Sequence, residues 1–214
     1  MLSIYQLKPA FQNILRPGVT RLFGWGVSAN QITLLALAGS ILTSGLIAFF
    51  AEHTWVFAFL PAWMLARMSL NAVDGMLARE FAQKSDLGAY LNEICDIVAD
   101  AFLILAFLFV PGTNPILILL ALLLALVSEY AGVMGPMVGA TRRYDGPMGK
   151  SDRALAFSLL AICIATDWLS GGWINLLMMG LCILQVLTLI NRVRGGLAEV
   201  RVTTTSYQEC TNVR

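Results

Sequence analysis

From Asn71 to Asp100 the chain reads NAVDGMLAREFAQKSDLGAYLNEICDIVAD, a run of acids and carboxamides inside an otherwise apolar sequence. An acid at the centre of a membrane helix costs roughly 2.5–3.5 kcal/mol on insertion scales, so such residues mark a functional site facing a bundle interior or a water-filled cavity. Asn71 and Asp74 are three residues apart, and Asn92, Asp96 and Asp100 follow at steps of four. On helices, each set lines one face. The short segment QKSDLG joins two antiparallel helices, which lets the two polar faces confront each other. Oxygen-bearing side chains that converge in this way suit hard cations such as Mg²⁺ or Mn²⁺. Gly75 and Ala78 keep the same face free of bulk, so that a flat base or a diphosphate can approach the backbone. Arg79 offers a planar fork for phosphate or carboxylate, and Gly88 leaves room where the second of these helices begins.

The elements that must position these residues follow from composition. Of 214 residues, 58% are hydrophobic and only 13% charged, against about a quarter charged in soluble domains. Mean hydropathy is +0.75. The apolar runs are continuous rather than alternating, which predicts an all-α polytopic membrane protein and not a β-barrel. A net charge of +1, with no basic block interleaved with aromatics, argues against nucleic acid as a partner. Cys95, Cys163, Cys182 and Cys210 lack metal-ligand spacing and form no disulfide framework.

A transmembrane helix needs about 20 mostly apolar residues. Six spans meet this expectation: Ile32–Ala51, Trp55–Met76, Gly88–Val110, Pro115–Val133, Ala154–Leu169 and Trp173–Ile190. The connections AEHT, PGTN and SGG hold no Lys or Arg, whereas the opposite connections hold Arg79, Lys84, Arg142, Arg143, Lys150 and Arg153. The positive-inside rule then puts both termini and the polar stretch on the cytoplasmic side. Residues 1–30 mix Leu7, Phe11, Leu15 and Leu22 with Lys8, Arg16 and Arg21, predicting an amphipathic juxtamembrane helix broken near Pro17. Ser28 and Asn30 are start signals for the first span. Residues 31–195 form the six-helix domain, and residues 196–214 read as a polar cytoplasmic tail.

Asp74-Gly75-x2-Ala78-Arg79, then eight residues, then Gly88-x3-Asn92-x3-Asp96, resembles the pattern of the CDP-alcohol phosphotransferase (CDP-alcohol phosphatidyltransferase) family. The family has acids where this chain has Asn71 and Asn92. The resemblance implies transfer of a substituted phosphate from a CDP-linked alcohol to an acceptor hydroxyl with release of CMP, in phospholipid biosynthesis. It implies nucleotide binding by Asp74, Gly75, Ala78, Arg79 and Gly88, a divalent metal on the diphosphate, and a homodimer. Asp74 and Asp96 carry over as metal ligands, and Asp96 as the base that takes the acceptor proton. CDP-diacylglycerol is the expected donor class, since a site opening between spans admits acyl chains. A bacterial inner membrane is the expected location.

The two amides change the electrostatics. Four Asp would contribute −4, whereas Asn71, Asp74, Asn92 and Asp96 contribute −2. With a diphosphate diester of about −2, one divalent cation gives this variant the balance that two give the family pattern. Asn oxygens remain acceptable neutral ligands, and Asp100 or Glu93 can serve as a replacement acid. A pseudoenzyme that binds nucleotide without turnover is the competing reading. A transporter or channel would need polar residues on several spans through the whole bilayer depth.

Glu129 near the inner end of the fourth span is expected to face the cavity, as an acceptor contact or paired with an arginine. Lys150 and Arg153 are candidate phosphate or acceptor ligands at the start of the fifth span, which Ser151 or Asp152 would cap. Arg67 shares the face of Asn71 and Asp74, where charge pairing with Asp74 or Asp100 is its expected role.

Overall fold

The computed structural model describes the backbone of residues 7–212 and the side chains of residues 11–202. The chain divides into two compact units, Met1–Ala106 and Phe107–Arg214, each with its own internal packing. The division falls inside the stretch 31–195 that the sequence presents as one domain. Among the described residues the regular structure is entirely helical.

In the first unit, α1 (Leu7–Gly24) leads to α2 (Ala29–Phe49), a short 3-10 turn (Thr54–Ala58), α3 (Phe59–Glu80) and α4 (Asp86–Leu105). Helix α1 runs through Pro17 instead of breaking there. Proline withholds one N–H from the helical ladder, and tertiary packing offsets that loss. Val19 is fully buried, and Leu15 and Leu22 pack with it against Val73, Met76 and Leu77 of α3. An exposed Arg16–Glu80 pair at 3.1 Å lies between the same two helices.

Ser28 caps α2 in a reciprocal box. Its Oγ accepts from the Gln31 N–H at 3.3 Å, and its own N–H donates to Gln31 Oε1 at 2.9 Å. Gln83, from the turn after α3, accepts the Ala29 N–H at 2.7 Å and so ties the start of α2 to the end of α3. That turn includes Ala82 at φ 54°, a left-handed conformation, and Ser85 then caps α4 by accepting the Gly88 N–H. Helix α2 packs on both α3 and α4. Midway along α2 the Trp63 indole lies directly on Gly39, where an added Cβ would sit 2.0 Å from the ring, and the indole N–H donates to Ser40 Oγ at 2.9 Å.

In the second unit, α5 (Pro115–Val133), α6 (Lys150–Ala165) and α7 (Gly171–Asn212) follow a short 3-10 turn (Ala106–Phe109). Asn114 caps α5, with Pro115 inside its first turn. The cap of α6 is Gly149, not Ser151 or Asp152; Asp152 accepts the Gly149 N–H at 3.1 Å. Helix α6 stops at Ala165, two residues before Asp167 adopts φ 52°. Helix α7 does not end at residue 195. It continues as one helix to Asn212, through residues 196–212 of the polar segment.

Four helical stretches are long and apolar enough to cross a membrane: Ala29–Phe49, Thr54–Glu80, Pro115–Val133 and Gly171–Val202. The other two expected spans correspond to α4 and α6. Helix α4 has the length but carries Asp86, Glu93, Asp96 and Asp100. Helix α6 has 16 residues, about 24 Å at 1.5 Å per residue, against an apolar layer of about 30 Å.

Candidate active site

The polar residues of α3 and α4 meet as their spacing requires. Arg67, one turn before Asn71 on α3, is 4% exposed. One of its terminal nitrogens, Nη1, donates to Asp100 Oδ1. The other, Nη2, donates to the Asp96 carbonyl oxygen at 3.0 Å and to Asp96 Oδ1 at 3.3 Å. Asn71 Nδ2 donates to the same Asp96 oxygen at 3.1 Å. Asp96 Oδ1 therefore receives N–H groups from two residues of α3. The pairing of Arg67 with Asp100 follows the charge-pairing expectation, and its bond to Asp96 adds to it.

Asp74 is 6% exposed and accepts the Thr33 hydroxyl from α2 at 2.8 Å. The same hydroxyl also lies 3.1 Å from the Ala29 carbonyl, so Thr33 links the first turn of α2 to the carboxylate. A hydrogen bond to the ionised form stabilises a buried carboxylate that lipid or packed carbon would otherwise penalise. Sequence reasoning missed Thr33. Its only signal is a hydroxyl in the first turn after the Ser28 cap.

Glycine matters here through space. Arg79 folds back along α3 so that its terminal nitrogens would stand 3.0 and 3.1 Å from a Cβ on Gly75. A Cβ on Gly88 would meet Asn30 Oδ1 at 2.9 Å and Ser85 Oγ at 3.0 Å. Ala78, half-buried, packs beside the Met76–Leu77 core, and Arg79 is exposed. Asn92 is half-buried, one turn before Asp96 on α4, and Glu93 lies beside it.

Asn71 and Asp96 meet directly, and Asp74 stands three residues after Asn71 on the same helix. Among the described residues no group of three or more His, Cys, Asp or Glu gathers at ion-binding range. Hard oxygen chemistry fits a divalent cation, but the acid count is low and Asp96 and Asp100 are already bonded to a guanidinium.

Glu129, Lys150 and Arg153 belong to the second unit, where a separate buried cluster forms. Arg153 is 2% exposed and donates to Glu129 Oε1 at 2.8 Å; Arg192, also 2% exposed, donates to the same oxygen at 3.3 Å. Arg192 Nη1 also donates to the Ser128 carbonyl. Two guanidiniums thus share one carboxylate oxygen. Lys150 is half-buried at the first position of α6. Sequence reasoning missed the role of Arg192; its phase, four residues after buried Thr188 and seven after buried Gln185, is the signal that places it on the inner face of α7. Nearby, Arg143 bridges Asp145 at 2.8 Å and Glu199. Its hydrogen bond to Asp145 is the main reason its guanidinium titrates above the ordinary value, so it stays a fixed cation.

The chain is 46% identical over 198 residues to the Escherichia coli (strain K12) protein named Inner membrane protein YnbA, covering 92% of this chain and 97% of that one. It is 33% identical over 119 residues to the archaetidylinositol phosphate synthase of Aeropyrum pernix, covering 50% of this chain and 61% of that enzyme. Its fold matches crystal structures of Mycobacterium tuberculosis phosphatidylinositol phosphate synthase. With manganese and citrate bound, that enzyme aligns at TM-score 0.70 and 19% identity over 85% of this chain and 88% of the other. With CDP-DAG bound, it aligns at TM-score 0.67 and 20% identity over 88% and 94%. The family model for CDP-alcohol phosphatidyltransferase matches residues 26–190, a stretch that contains the whole motif. The chain belongs to the CDP-alcohol phosphatidyltransferase family and is a phosphotransferase.

Proposed function

We propose that this protein transfers a phosphatidyl group from CDP-diacylglycerol, or a related lipid CDP-alcohol, to an acceptor hydroxyl and releases CMP. The observation that carries the proposal is Asp96: it stands on α4, meets Asn71 across the site, and keeps the motif position from which a carboxylate can take the acceptor proton. The Asp74–Arg79 segment is the proposed nucleotide site. There the Arg79 guanidinium lies over Gly75, where its fork would meet a phosphate, and Gly88 leaves room for Asn30 and Ser85. Asp74 and Asp96, with the oxygens of Asn71 and Asn92, would hold a divalent ion, Mg²⁺ or Mn²⁺. When bound, such an ion offsets charge on the diphosphate and the leaving CMP. Lys150 and Arg153, at the start of α6, are the proposed ligands for an anionic group on the acceptor.

The proposed setting is a bacterial inner membrane. Six spans would place both termini and the motif on the cytoplasmic side, in a homodimer. Four apolar helices and the basic bias of alternate connections support the membrane setting and its orientation.

The test supplies the purified protein with CDP-diacylglycerol, Mg²⁺ or Mn²⁺, and a panel of glycerol phosphate, serine and inositol phosphate. Acceptor-dependent CMP release that EDTA removes and Asp96→Asn abolishes is the expected result. CMP release that is equal with every acceptor and with none would indicate hydrolysis instead. One observation favours a binding-only relative: Asp96 Oδ1 already accepts N–H groups from Arg67 and Asn71, which occupy the oxygen. A silent wild type that gains strong activity on Asn71→Asp with Asn92→Asp would establish that second reading.

A further inference from the structure

The departures of this chain from the four-carboxylate pattern are coupled to one another. An acid at position 71 would stand where Asn71 Nδ2 now lies, 3.1 Å from Asp96 Oδ1, and would need a cation between the two carboxylates. The amide removes that need, because its N–H group bonds the oxygen that an acid would repel. Arg67 adds a permanent positive charge at the same place. It is 4% exposed, and its two terminal nitrogens contact Asp100 and Asp96. A metal ion seated on Asp96 Oδ1 would have to displace both N–H donors and stand beside the guanidinium as a like charge.

We propose that Arg67 occupies the place of a second divalent cation, so that the site binds one ion and uses the guanidinium as its other counter-charge. Arg67 acts through Asp96 and Asp100 and is a positioning residue. The proposal rests on the transferase reading for its meaning in catalysis, but the ion count does not depend on turnover.

The test is a Mn²⁺ titration of the full-length protein in detergent, with and without CDP-diacylglycerol, read by electron paramagnetic resonance. Wild type should bind one ion, with the spectrum of an isolated centre. Arg67→Ala should bind one ion more, and the two ions should be spin-coupled. Arg67→Lys, which keeps the charge, should retain the wild-type count. Two coupled ions in the wild type, no ion in the wild type, or an equal count in wild type and Arg67→Ala overturns the proposal. If Arg67→Ala does not fold, the wild-type spectrum alone still decides between one ion and a coupled pair. Loss of CMP release with all acceptors, beside a wild-type count of one, would remove the transferase reading and leave the ion count standing.

Discussion

At the residue scale, the site is held by hydrogen bonds from neighbours outside the motif. Thr33 is the clearest case, since its hydroxyl orients Asp74 from another helix. Partners that orient a ligating carboxylate commonly matter 10–100-fold in metal affinity. Thr33→Val should therefore weaken Mn²⁺ binding about 10-fold while helicity by circular dichroism is retained. Glu129 makes the opposite case, a single anion serving two buried arginines. Removing one member of a buried ion pair typically costs about 3–5 kcal/mol, because the partner charge is left uncompensated. Glu129→Ala should lower the thermal midpoint in detergent strongly, whereas Arg16→Ala, at an exposed pair, should change stability by less than about 1 kcal/mol.

At the scale of elements, α2 is the scaffold of the first unit, touching α3 and α4 and carrying Thr33 to the site. Its closest approach to α3 depends on the absence of a side chain at Gly39, under Trp63. Overpacking a well-filled contact costs typically 1–3 kcal/mol, and here the obstacle is a rigid indole. Gly39→Leu should reduce the melting temperature and, by shifting α2, reduce activity too. Trp63→Phe should lose the bond to Ser40 but fold normally. Helix identity was readable from apolar run length, and α5 falls on the residues expected of it. Two features were not readable. Helix α1 passes Pro17 because buried Val19 and its neighbours hold it to α3, a tertiary effect that local propensity does not contain. Helix α7 passes residue 195 through a segment rich in Thr, whose weak helix preference gives no cue in isolation.

At the scale of the whole molecule, one part of the polar stretch was legible because a helix repeats its faces every three or four residues. Asn71, Asp96 and Asp100 therefore come together, with Arg67, as counting predicts. What counting could not show is the direction of each bond: Asn71 donates to Asp96 instead of offering its oxygen there. The split into two units was also hidden, since apolar composition is continuous across Ala106 and Phe107. Orientation in the membrane is testable at this scale. Single cysteines at His53 and at Arg142, in a background without other thiols, should label from opposite sides of sealed inner-membrane vesicles. Labelling from one side would contradict the charge-derived topology.

Helix α7 has 42 residues, about 63 Å of continuous rod at 1.5 Å per residue. A bilayer core is about 30 Å thick, so such a rod outruns it twofold. The chain therefore carries a built-in ruler: the polar turns up to Asn212 stand at fixed distances from the apolar turns of the same rod. Spin labels at positions 191 and 208 should report a narrow separation of about 26 Å, the helical rise over that interval, where a flexible segment would give a broad distribution.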